Sequence, residues 1–345
     1  MIDLRRLTVL RAIAQYGTVT AAAEAVHLTP SAVSQQVRQL GRELGVALLE
    51  PRGRRVRLTE ASRVLLQHAD AIEELWQRTE AQLHSSAVGE PSGTLRVAGF
   101  PTAASALLAP VAVRLQSAWP ALTVQVREAE PLECFSLLFS DDTDVAVVEA
   151  TPDNPPLDDP RFDQRPLLDD PFDLLTAPGH ALAGSRGLRL DDLASEEWVL
   201  GMPGTSCTSR QLVMAACHSA GFVPSVAHQA REWSVVATLV SHGLGVALVP
   251  RLAKLPPELD LVRTPLESAP SRRFLSVTRQ GSDGHPAIAA GIGILGELAA
   301  ELGQSAGRSA SRCAPPDSAT MLSGDCGSRT VVKRASSVSS ATVKP

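Results

Sequence analysis

The sequence predicts an α+β module of three short helices and a strand pair at the N-terminus, then one long helix, then a larger α/β domain of two subdomains. Three patterns predict this arrangement: helical spacing of apolar residues before Gly45, a stretch without Gly or Pro over residues 61–85, and strands that alternate with helices after residue 93. The length of 345 residues also exceeds the ~100–200 residues usual for one domain.

Charge is distributed unevenly along the chain, whose formal net charge is −5. Residues 29–58 contain six Arg and two Glu, whereas residues 89–302 carry a marked excess of Asp and Glu. The overall balance excludes a protein that is basic all over its surface. A small basic module on an acidic body instead indicates local contact with nucleic acid.

Several other function classes lack their signatures. The eight His residues are scattered, the five Cys residues form no CxxC pair, and we expect no metal and no cofactor. The GxGxxG pattern over residues 291–296 lies inside a predicted helix, unlike a dinucleotide site. Without an apolar leader or an unbroken apolar span of about 20 residues, we expect a cytoplasmic protein with no membrane contact.

Apolar spacing and capping residues predict three helices near the N-terminus. The first covers residues 3–16. Thr20 is expected to cap the second, which ends near residue 27. Thr29 is expected to cap the third, which runs over residues 30–44 and ends at Gly45. The short connection between the second and third helices is typical of a helix-turn-helix.

The segment over residues 50–59 predicts a short strand pair, or wing. Gly53 lies where the hairpin tip is expected, and Val56 and Leu58 alternate with Arg residues. Such a wing carries arginines toward DNA phosphates or into the minor groove.

Three segments of the first 61 residues are specific enough to compare with known proteins: GTVTAAA at 17–23, TPSAVSQQV at 29–37 and LTEA at 58–61. Together they resemble the N-terminal winged helix-turn-helix of LysR-type transcriptional regulators. The chain departs from the family pattern at Gly41, where an acidic residue is usual, and at Pro51, where Arg is usual.

The resemblance implies binding partners for this module and a larger domain that follows it in the chain. It implies double-stranded DNA as a partner, self-association as a dimer or a dimer of dimers, and a small-molecule effector. It also implies contact with RNA polymerase if the protein is an activator. The C-terminal part is then expected to be an effector-binding α/β domain with a periplasmic-binding-protein-like fold of two subdomains.

The third helix carries the expected base contacts on the side opposite its apolar stripe. Gln35 suits bidentate recognition of adenine, and Arg38 suits guanine or phosphate. The alternative for each residue is a solvated helix face. The full set of predicted DNA-contacting residues is Thr20, Thr29, Ser31, Ser34, Gln35, Arg38, Arg52, Arg54 and Arg55.

Residues 61–88 predict a linker helix with an apolar heptad seam. The spacing of the seam is typical of two helices that pair in a dimer, although one helix packed on its own domain is an alternative. Leu66 and Leu75 lie off the seam and are expected to pack on the winged module. The seam residues are Leu65, Ala69, Ile72, Trp76, Thr79 and Leu83.

The domain boundaries follow from these elements. We expect the winged module at 1–60, the linker helix at 61–88, the effector domain at 89–302 and a disordered tail at 303–345, whose composition is rich in Gly, Ser and Ala. Within the effector domain, subdomain one is expected at about 93–166 and 270–302, and subdomain two at about 167–269. The apolar segment 144–149 is expected to be a central, parallel strand.

Ligands of such domains bind in the cleft between subdomains, at strand ends and helix N-termini. A small carboxylate or another polar metabolite is the expected effector, and ordinary helix capping is the alternative role of the hydroxyl groups. A redox alternative uses Cys207 with Cys217, since the family includes a peroxide sensor with a cysteine pair in its second subdomain. The predicted effector-binding residues are Thr102, Ser105, Glu128, Glu149, Thr205, Ser206, Cys207 and Arg231.

These features predict a ligand-responsive, DNA-binding transcriptional regulator and not an enzyme. The alternative is a small-molecule binding protein or enzyme whose N-terminal module serves assembly only. The basic stretch at 29–58 argues against that alternative, as does the lack of a recognisable Ser/His/Asp or Cys/His arrangement.

Overall fold

The computed structural model describes residues 4–26, 28–52, 55–202 and 209–311. Its N-terminal part is the predicted winged helix-turn-helix. Three helices precede an antiparallel strand pair in which Leu49 lies opposite Leu58. The elements are α1 (Leu4–Tyr16), α2 (Val19–Ala25), α3 (Pro30–Leu44), β1 (Leu49–Arg52) and β2 (Arg55–Leu58).

Capping residues define the helix ends, with one correction to the prediction. The predicted Thr20 cap is wrong: Thr18 is the N-cap of α2 and its Oγ1 accepts a hydrogen bond from the Ala21 N–H at 3.1 Å. Thr20 lies in the first turn and is exposed. Thr29 caps α3 as predicted, and Gly45 ends that helix with a left-handed φ of 72°.

The three helices share one apolar core. Ala22 and Ala23 are almost fully buried, and their small side chains let α2 lie close to its neighbours. Helical spacing brings the larger residues of α1 and α3 to the same side, and they are Leu7, Leu10, Ile13, Val33, Val37 and Leu40.

The linker helix α4 (Glu60–Val88) leads from the wing to the larger domain. The Thr59 hydroxyl accepts from the Ser62 N–H at 3.2 Å and donates to the Ala47 carbonyl at 2.7 Å. One side chain therefore caps the helix and ties its first turn to the loop before the wing.

The predicted seam of α4 is wrong at its N-terminal end. Ala69 is only 1% exposed, and Leu65 packs against the winged core, because this face of α4 lies on α1 of the same chain. Leu75 does not pack on the winged module as expected, since it is 65% exposed. An exposed apolar stripe remains further along the helix at Ile72, Trp76 and Leu83, with the half-buried Thr79 between them.

The larger domain contains strands that alternate with helices, as predicted. The elements are β3 (Gly93–Gly99), α5 (Pro101–Ala103), a π-helical segment (Ala104–Leu108), α6 (Ala109–Ala118), β4 (Leu122–Glu128), α7 (Pro131–Phe139), β5 (Val145–Glu149), β6 (Phe162–Thr176), a 3₁₀ turn (Leu190–Leu193), β7 (Glu197–Gly201), α8 (Ser209–Ser219), β8 (Ser225–Ala230), α9 (Trp233–Ser241), β9 (Ala247–Pro250), β10 (Val262–Pro265), β11 (Ser271–Arg279) and α10 (Pro286–Ser311).

Two long antiparallel strands, β6 and β11, join the two halves of this domain. The main sheet has the order β10-β6-β11-β5-β3-β4, with β9 also paired to β6. We call the half with β3, β4, β5, α5–α7 and α10 subdomain one, and the half with β7–β10, α8 and α9 subdomain two. The buried strand β5 is central as predicted, but it is parallel only to β3 and antiparallel to β11.

The C-terminal helix α10 packs on subdomain one through Ala287, Ile288, Leu295 and Leu298. Its stretch Pro286–Gln304 is long and apolar enough to cross a membrane by length and composition alone. The burial of those four residues in the subdomain core is typical of a core helix. The helix continues to Ser311, so the predicted disorder does not begin at residue 303, and residues 312–345 lie outside the described part of the chain.

Candidate DNA-binding surface and effector cleft

The third helix exposes the side chains that the sequence assigns to base contacts. Ser31, Gln35 and Arg38 are exposed and Ser34 is half-buried. Val33 and Val37 face the core, because residues four apart lie on one side of a helix. The exposed face therefore presents hydroxyl, amide and guanidinium groups, which are the donors and acceptors that read base edges in a major groove.

The hydroxyl of Thr29 is used by the protein itself. It accepts from the Ala32 N–H at 3.2 Å and lies 3.0 Å from Ser31 Oγ. This arrangement holds the first turn of α3, and it orients the N–H groups at the helix start, which favour phosphate. Thr20 lies exposed on the neighbouring helix α2.

Two of the predicted wing arginines lie at the same end of the strand pair. Arg52 lies opposite Arg55 in the register of β1 and β2. Arg54 belongs to the two-residue connection that lies outside the described residues. The sequence-based assignment of these arginines to phosphate contacts therefore stays a prediction.

Gly41, the departure from the family pattern, has a steric reason. A Cβ atom at this position would lie 2.7 Å from the carbonyl oxygen of Val46. The chain turns back sharply after α3, and Gly45 and Val46 donate backbone hydrogen bonds to Arg42 and Gly41, respectively. The close approach requires glycine here, whatever residue the family usually has.

The candidate effector cleft begins at the carboxyl ends of three neighbouring strands. Gly99 at the end of β3 lies opposite Glu128 of β4 and Val147 of β5. Thr102 follows β3 in the short helix α5, is 5% exposed, and its carbonyl accepts from Ser105 Oγ at 3.2 Å. The next turns are π-helical, a feature that is frequent at functional sites.

Sequence reasoning missed the group that dominates the hinge between the subdomains. Arg272 of β11 is 4% exposed, and it stacks on Phe100 and Phe274 with its Cζ 5.2 and 5.0 Å from the ring centroids. The guanidinium also lies 3.8 Å from the predicted residue Glu149. The sequence offers no clear signal for it, because Arg272 stands beside Arg273 in a strand that also ends in Arg279.

The remaining predicted effector residues are not brought together by the described part of the chain. Glu128 is exposed at the end of β4, and Arg231 is exposed just before α9. Thr205, Ser206 and Cys207 lie outside the described residues. A contact between the subdomains does occur nearby, where Lys254 Nζ donates to the Ser105 carbonyl at 2.9 Å.

Cys217 is unsuited to redox chemistry in this fold. It is fully buried in the core of subdomain two, and burial raises the pKa of its thiol to about 11. A thiol must ionise to react with peroxide at a useful rate. Among the described residues, no group of three or more His, Cys, Asp or Glu side chains is arranged to hold a metal ion.

The winged module, the linker helix and the hinged α/β domain together define a class of protein: a modular DNA-binding regulator with a small-molecule-binding domain. The comparisons with known proteins place the chain within that class. Residues 4–63 match the model of the bacterial regulatory helix-turn-helix protein, lysR family, and residues 89–300 match the LysR substrate binding domain. The chain belongs to the LysR family of transcriptional regulators.

Relatives match over most of their length. The RuBisCO operon transcriptional regulator of Allochromatium vinosum is 32% identical over 84% of this chain and 94% of its own. OxyR of Escherichia coli is 29% identical over 81% of this chain and 90% of its own. Among solved structures, a cysteine mutant of Corynebacterium glutamicum OxyR matches with a TM-score of 0.55 and 25% identity over 88% and 96% of the two chains. Full-length CbnR in complex with its target DNA matches in fold, with a TM-score of 0.51 and 22% identity over 86% and 100%.

Proposed function

We propose that this protein binds a two-fold-symmetric DNA site as a dimer, through residues 30–44 and the wing at 50–59, under the control of a small molecule bound between its subdomains. The observation that carries the proposal is the polar face of α3, where Ser31, Gln35 and Arg38 are exposed opposite a buried stripe. A dimer presents two such helices, so two half-sites of one DNA duplex are engaged together.

The dimer is proposed to form along the exposed stripe of α4. Ile72, Trp76 and Leu83 are 40%, 48% and 64% exposed on a helix that leads away from the DNA-binding module. Apolar residues at this spacing bury one another when two helices pair. The paired helices then carry the two winged modules side by side.

The effector is proposed to be a small carboxylate or another polar metabolite held at Thr102, Thr205, Ser206 and Arg231. Hydroxyl groups and helix N-termini favour such ligands. Closure of the cleft about β6 and β11 would change the angle between the paired winged modules. A ligand that binds the closed state more tightly then shifts the DNA-binding equilibrium.

Further parts of the proposal follow from this role. The protein acts by binding and catalyses no reaction, and it works in the cytoplasm, where its DNA target lies. If it is an activator, RNA polymerase is a further partner. The relatives whose names describe regulators of operons or inducible genes support this assignment.

The first test is a sequenced pull-down of genomic DNA fragments with the purified full-length protein. We expect enrichment of a two-fold-symmetric site, and loss of enrichment in the Gln35→Ala/Arg38→Ala variant and in Arg54→Ala/Arg55→Ala. A matched control is Arg189→Ala, which removes an exposed arginine of subdomain two that pairs with Asp191. Absence of enrichment by the wild type at low salt, with cell extract supplying the effector, would contradict the proposal.

The salt dependence of binding separates base contacts from phosphate contacts. Loss of one arginine that neutralises a phosphate reduces the slope of log K against log salt by about 1. We expect Arg54→Ala to show that change on every DNA sequence. Gln35→Ala should instead reduce the preference for the selected site by about 1–3 kcal/mol at an unchanged slope.

A further inference from the structure

The winged module contacts the effector domain of its own chain at a compact group of side chains. We call this group the junction and define it as Arg11 and Tyr16 of α1, Asp70 of α4, Phe139 at the end of α7, and Arg161 just before β6. The junction therefore joins the winged module, the linker helix and the effector domain.

The centre of the junction is an aromatic ring that two guanidinium groups approach. The Cζ atoms of Arg11 and Arg161 lie 5.5 and 5.9 Å from the centroid of Phe139. Phe139 also packs against the apolar core of the winged module, although it belongs to the effector domain. Cations over an aromatic face attract its quadrupole, so the ring holds arginines from both domains.

Each of the two arginines also forms an ion pair with a carboxylate. Arg11 Nη2 lies 3.1 Å from Asp70 Oδ1, and Arg161 Nη2 lies 2.7 Å from Asp159 Oδ2. Each arginine thus has its counterion within its own side of the junction. The two sides meet at Phe139, and neither of these two ion pairs crosses from one side to the other.

Two hydrogen bonds beside this centre fix the position of α1 against the effector domain. The Tyr16 hydroxyl lies 3.0 Å from Ser136 Oγ, and Arg161 Nη1 donates to Gln15 Oε1 at 2.6 Å. Both bonds connect the C-terminal end of α1 with subdomain one. Because neutral or solvent-accessible groups form them, water replaces these bonds at small cost when the contact opens.

The burial of Arg11 makes the closed junction costly as well as specific. Arg11 is 9% exposed, its Nε has no hydrogen-bond partner among the described protein groups, and burial lowers the pKa of its guanidinium. A small cavity of about 30 Å³ adjoins it, lined by Asp70, Glu73 and Phe139 among others. A polar contact with such a penalty resembles the breakable interfaces between domains more than a permanent core.

The docked arrangement leaves the DNA-reading side free. Gln35 and Arg38 are exposed on α3 while α1 makes the contact. Docking therefore does not cover the helix that reads DNA. What it fixes is the direction in which that helix points relative to subdomain one.

From these contacts we infer that the junction is a reversible clamp that sets the orientation of the recognition helix relative to the effector domain. The inference rests on the proposed function for its consequence on DNA, whereas the clamp itself is independent of DNA. Movement of subdomain one is then transmitted to α3 through Phe139 and α1, in addition to any path along α4. The two half-sites of a DNA target are met at the correct angle only while the clamp is closed.

The clamp is tested first without DNA, by hydrogen–deuterium exchange on the full-length protein. Arg161→Ala removes the ring contact and the bond to Gln15, and Tyr16→Phe removes only the bond to Ser136. We expect faster exchange at the end of α1 and the end of α7 in both variants, larger for Arg161→Ala. The control is Arg165→Ala, which removes a half-exposed arginine of β6 that pairs with Asp163 and Asp283 outside the junction. Exchange at α1 that is the same in all four proteins would overturn the clamp.

The consequence for orientation is tested with two DNA duplexes from the genomic selection, one with both half-sites and one with a single half-site. We expect Arg161→Ala to weaken binding to the two-half-site duplex by about tenfold, because paired binding depends on geometry. Single half-site binding should stay within about twofold, because the reading face is untouched. Looser α1 with an unchanged ratio of the two affinities would overturn the orientation role. If the wild type binds no DNA at all, the proposed function fails, and the exchange experiment still decides whether the clamp exists.

Discussion

Arg272 donates from Nε and Nη2 to one carboxylate oxygen of Asp170, at 3.0 and 2.9 Å, in the hinge between the two subdomains. The side chains are only 3% and 0% exposed. The next pair along the same two strands, Arg273 with Asp169, is 60% and 55% exposed. Alternation along β6 and β11 therefore places chemically identical pairs on opposite faces, one in the core and one in water.

Arg272→Ala is expected to lower the free energy of unfolding by about 3–5 kcal/mol, since it leaves the Asp170 carboxylate buried without its partner. Arg273→Ala is the matched control and should leave the free energy of unfolding almost unchanged, because an exposed ion pair contributes little. Urea unfolding of the full chain, followed by circular dichroism, measures both. Equal effects of the two substitutions would contradict the assigned role of the buried pair.

Gly41→Ala is expected to destabilise the winged module by about 1–3 kcal/mol, because the new Cβ would lie 2.7 Å from the Val46 carbonyl. Gly293→Ala in α10 is the control: it is exposed and has no neighbouring atom within 4 Å of the added Cβ. That change should stabilise by about 0.5–1 kcal/mol, since alanine is the better helix former. Differential scanning calorimetry of both variants reports the sign, and a stabilised Gly41→Ala protein would contradict the steric argument.

The winged module could be predicted closely from the sequence because its signals are local. Thr29, Pro30 and Gly45 mark the ends of α3, and its apolar residues form one stripe, so only one face of the helix can be the buried face. The error at Thr20 arose because two threonines stand two residues apart and either can cap a helix. Only the backbone path shows that Thr18 does so.

The buried Arg272–Asp170 pair and the face of α4 that packs on α1 could not be predicted in the same way. Arg272 and Asp170 are far apart in sequence, and which of two adjacent Arg–Asp pairs is buried depends on strand register. Leu65 and Ala69 fit a dimer seam by spacing, but that spacing does not say whether α1 of the same chain covers them. Tertiary contacts decide both points.

The Asp144 carboxylate predicts a loss of stability in acid. It accepts from the Arg96 N–H at 2.8 Å and from Arg96 Nη2 at 2.6 Å. Burial opposes ionisation of Asp144, but these hydrogen bonds and the charge of Arg279 outweigh burial and hold its pKa below the usual value. The stabilisation is therefore complete above the unfolded-state pKa of about 3.9 and is lost as the pH falls from there through the lower folded-state pKa.

Asp144→Asn should accordingly lower the free energy of unfolding by about 2 kcal/mol at pH 7. The difference from the wild type should shrink as the pH falls below about 4. Urea unfolding at a series of pH values between about 2 and 7 measures the two profiles. Profiles that stay parallel through this range would contradict the assigned role of the carboxylate.

The exposed stripe of α4 predicts the effect of charge on self-association. Trp76→Asp/Leu83→Asp places two carboxylates where apolar side chains are proposed to meet, and we expect the dimer Kd to rise by about 100-fold or more. Leu157→Asp changes a side chain of subdomain one that is 65% exposed, close to the 64% of Leu83, and should leave the dimer intact. Sedimentation velocity over a concentration series distinguishes the outcomes. A double variant that remains as dimeric as the wild type would place the dimer contact elsewhere.

Cys217 is expected to be inert toward peroxide in the folded protein, although several relatives are named hydrogen peroxide-inducible genes activators. With its thiol pKa raised to about 11 by burial, only about one molecule in 10⁴ carries the thiolate at pH 7. Mass spectrometry of the native protein after peroxide should show neither oxidation of Cys217 nor a disulfide between Cys217 and Cys207. The same treatment in urea should oxidise Cys217, which shows that burial and not sequence context protects it. A Cys207–Cys217 disulfide formed under native conditions would mean that subdomain two opens enough to expose its core helix, and the redox alternative would then replace the metabolite as the proposed signal.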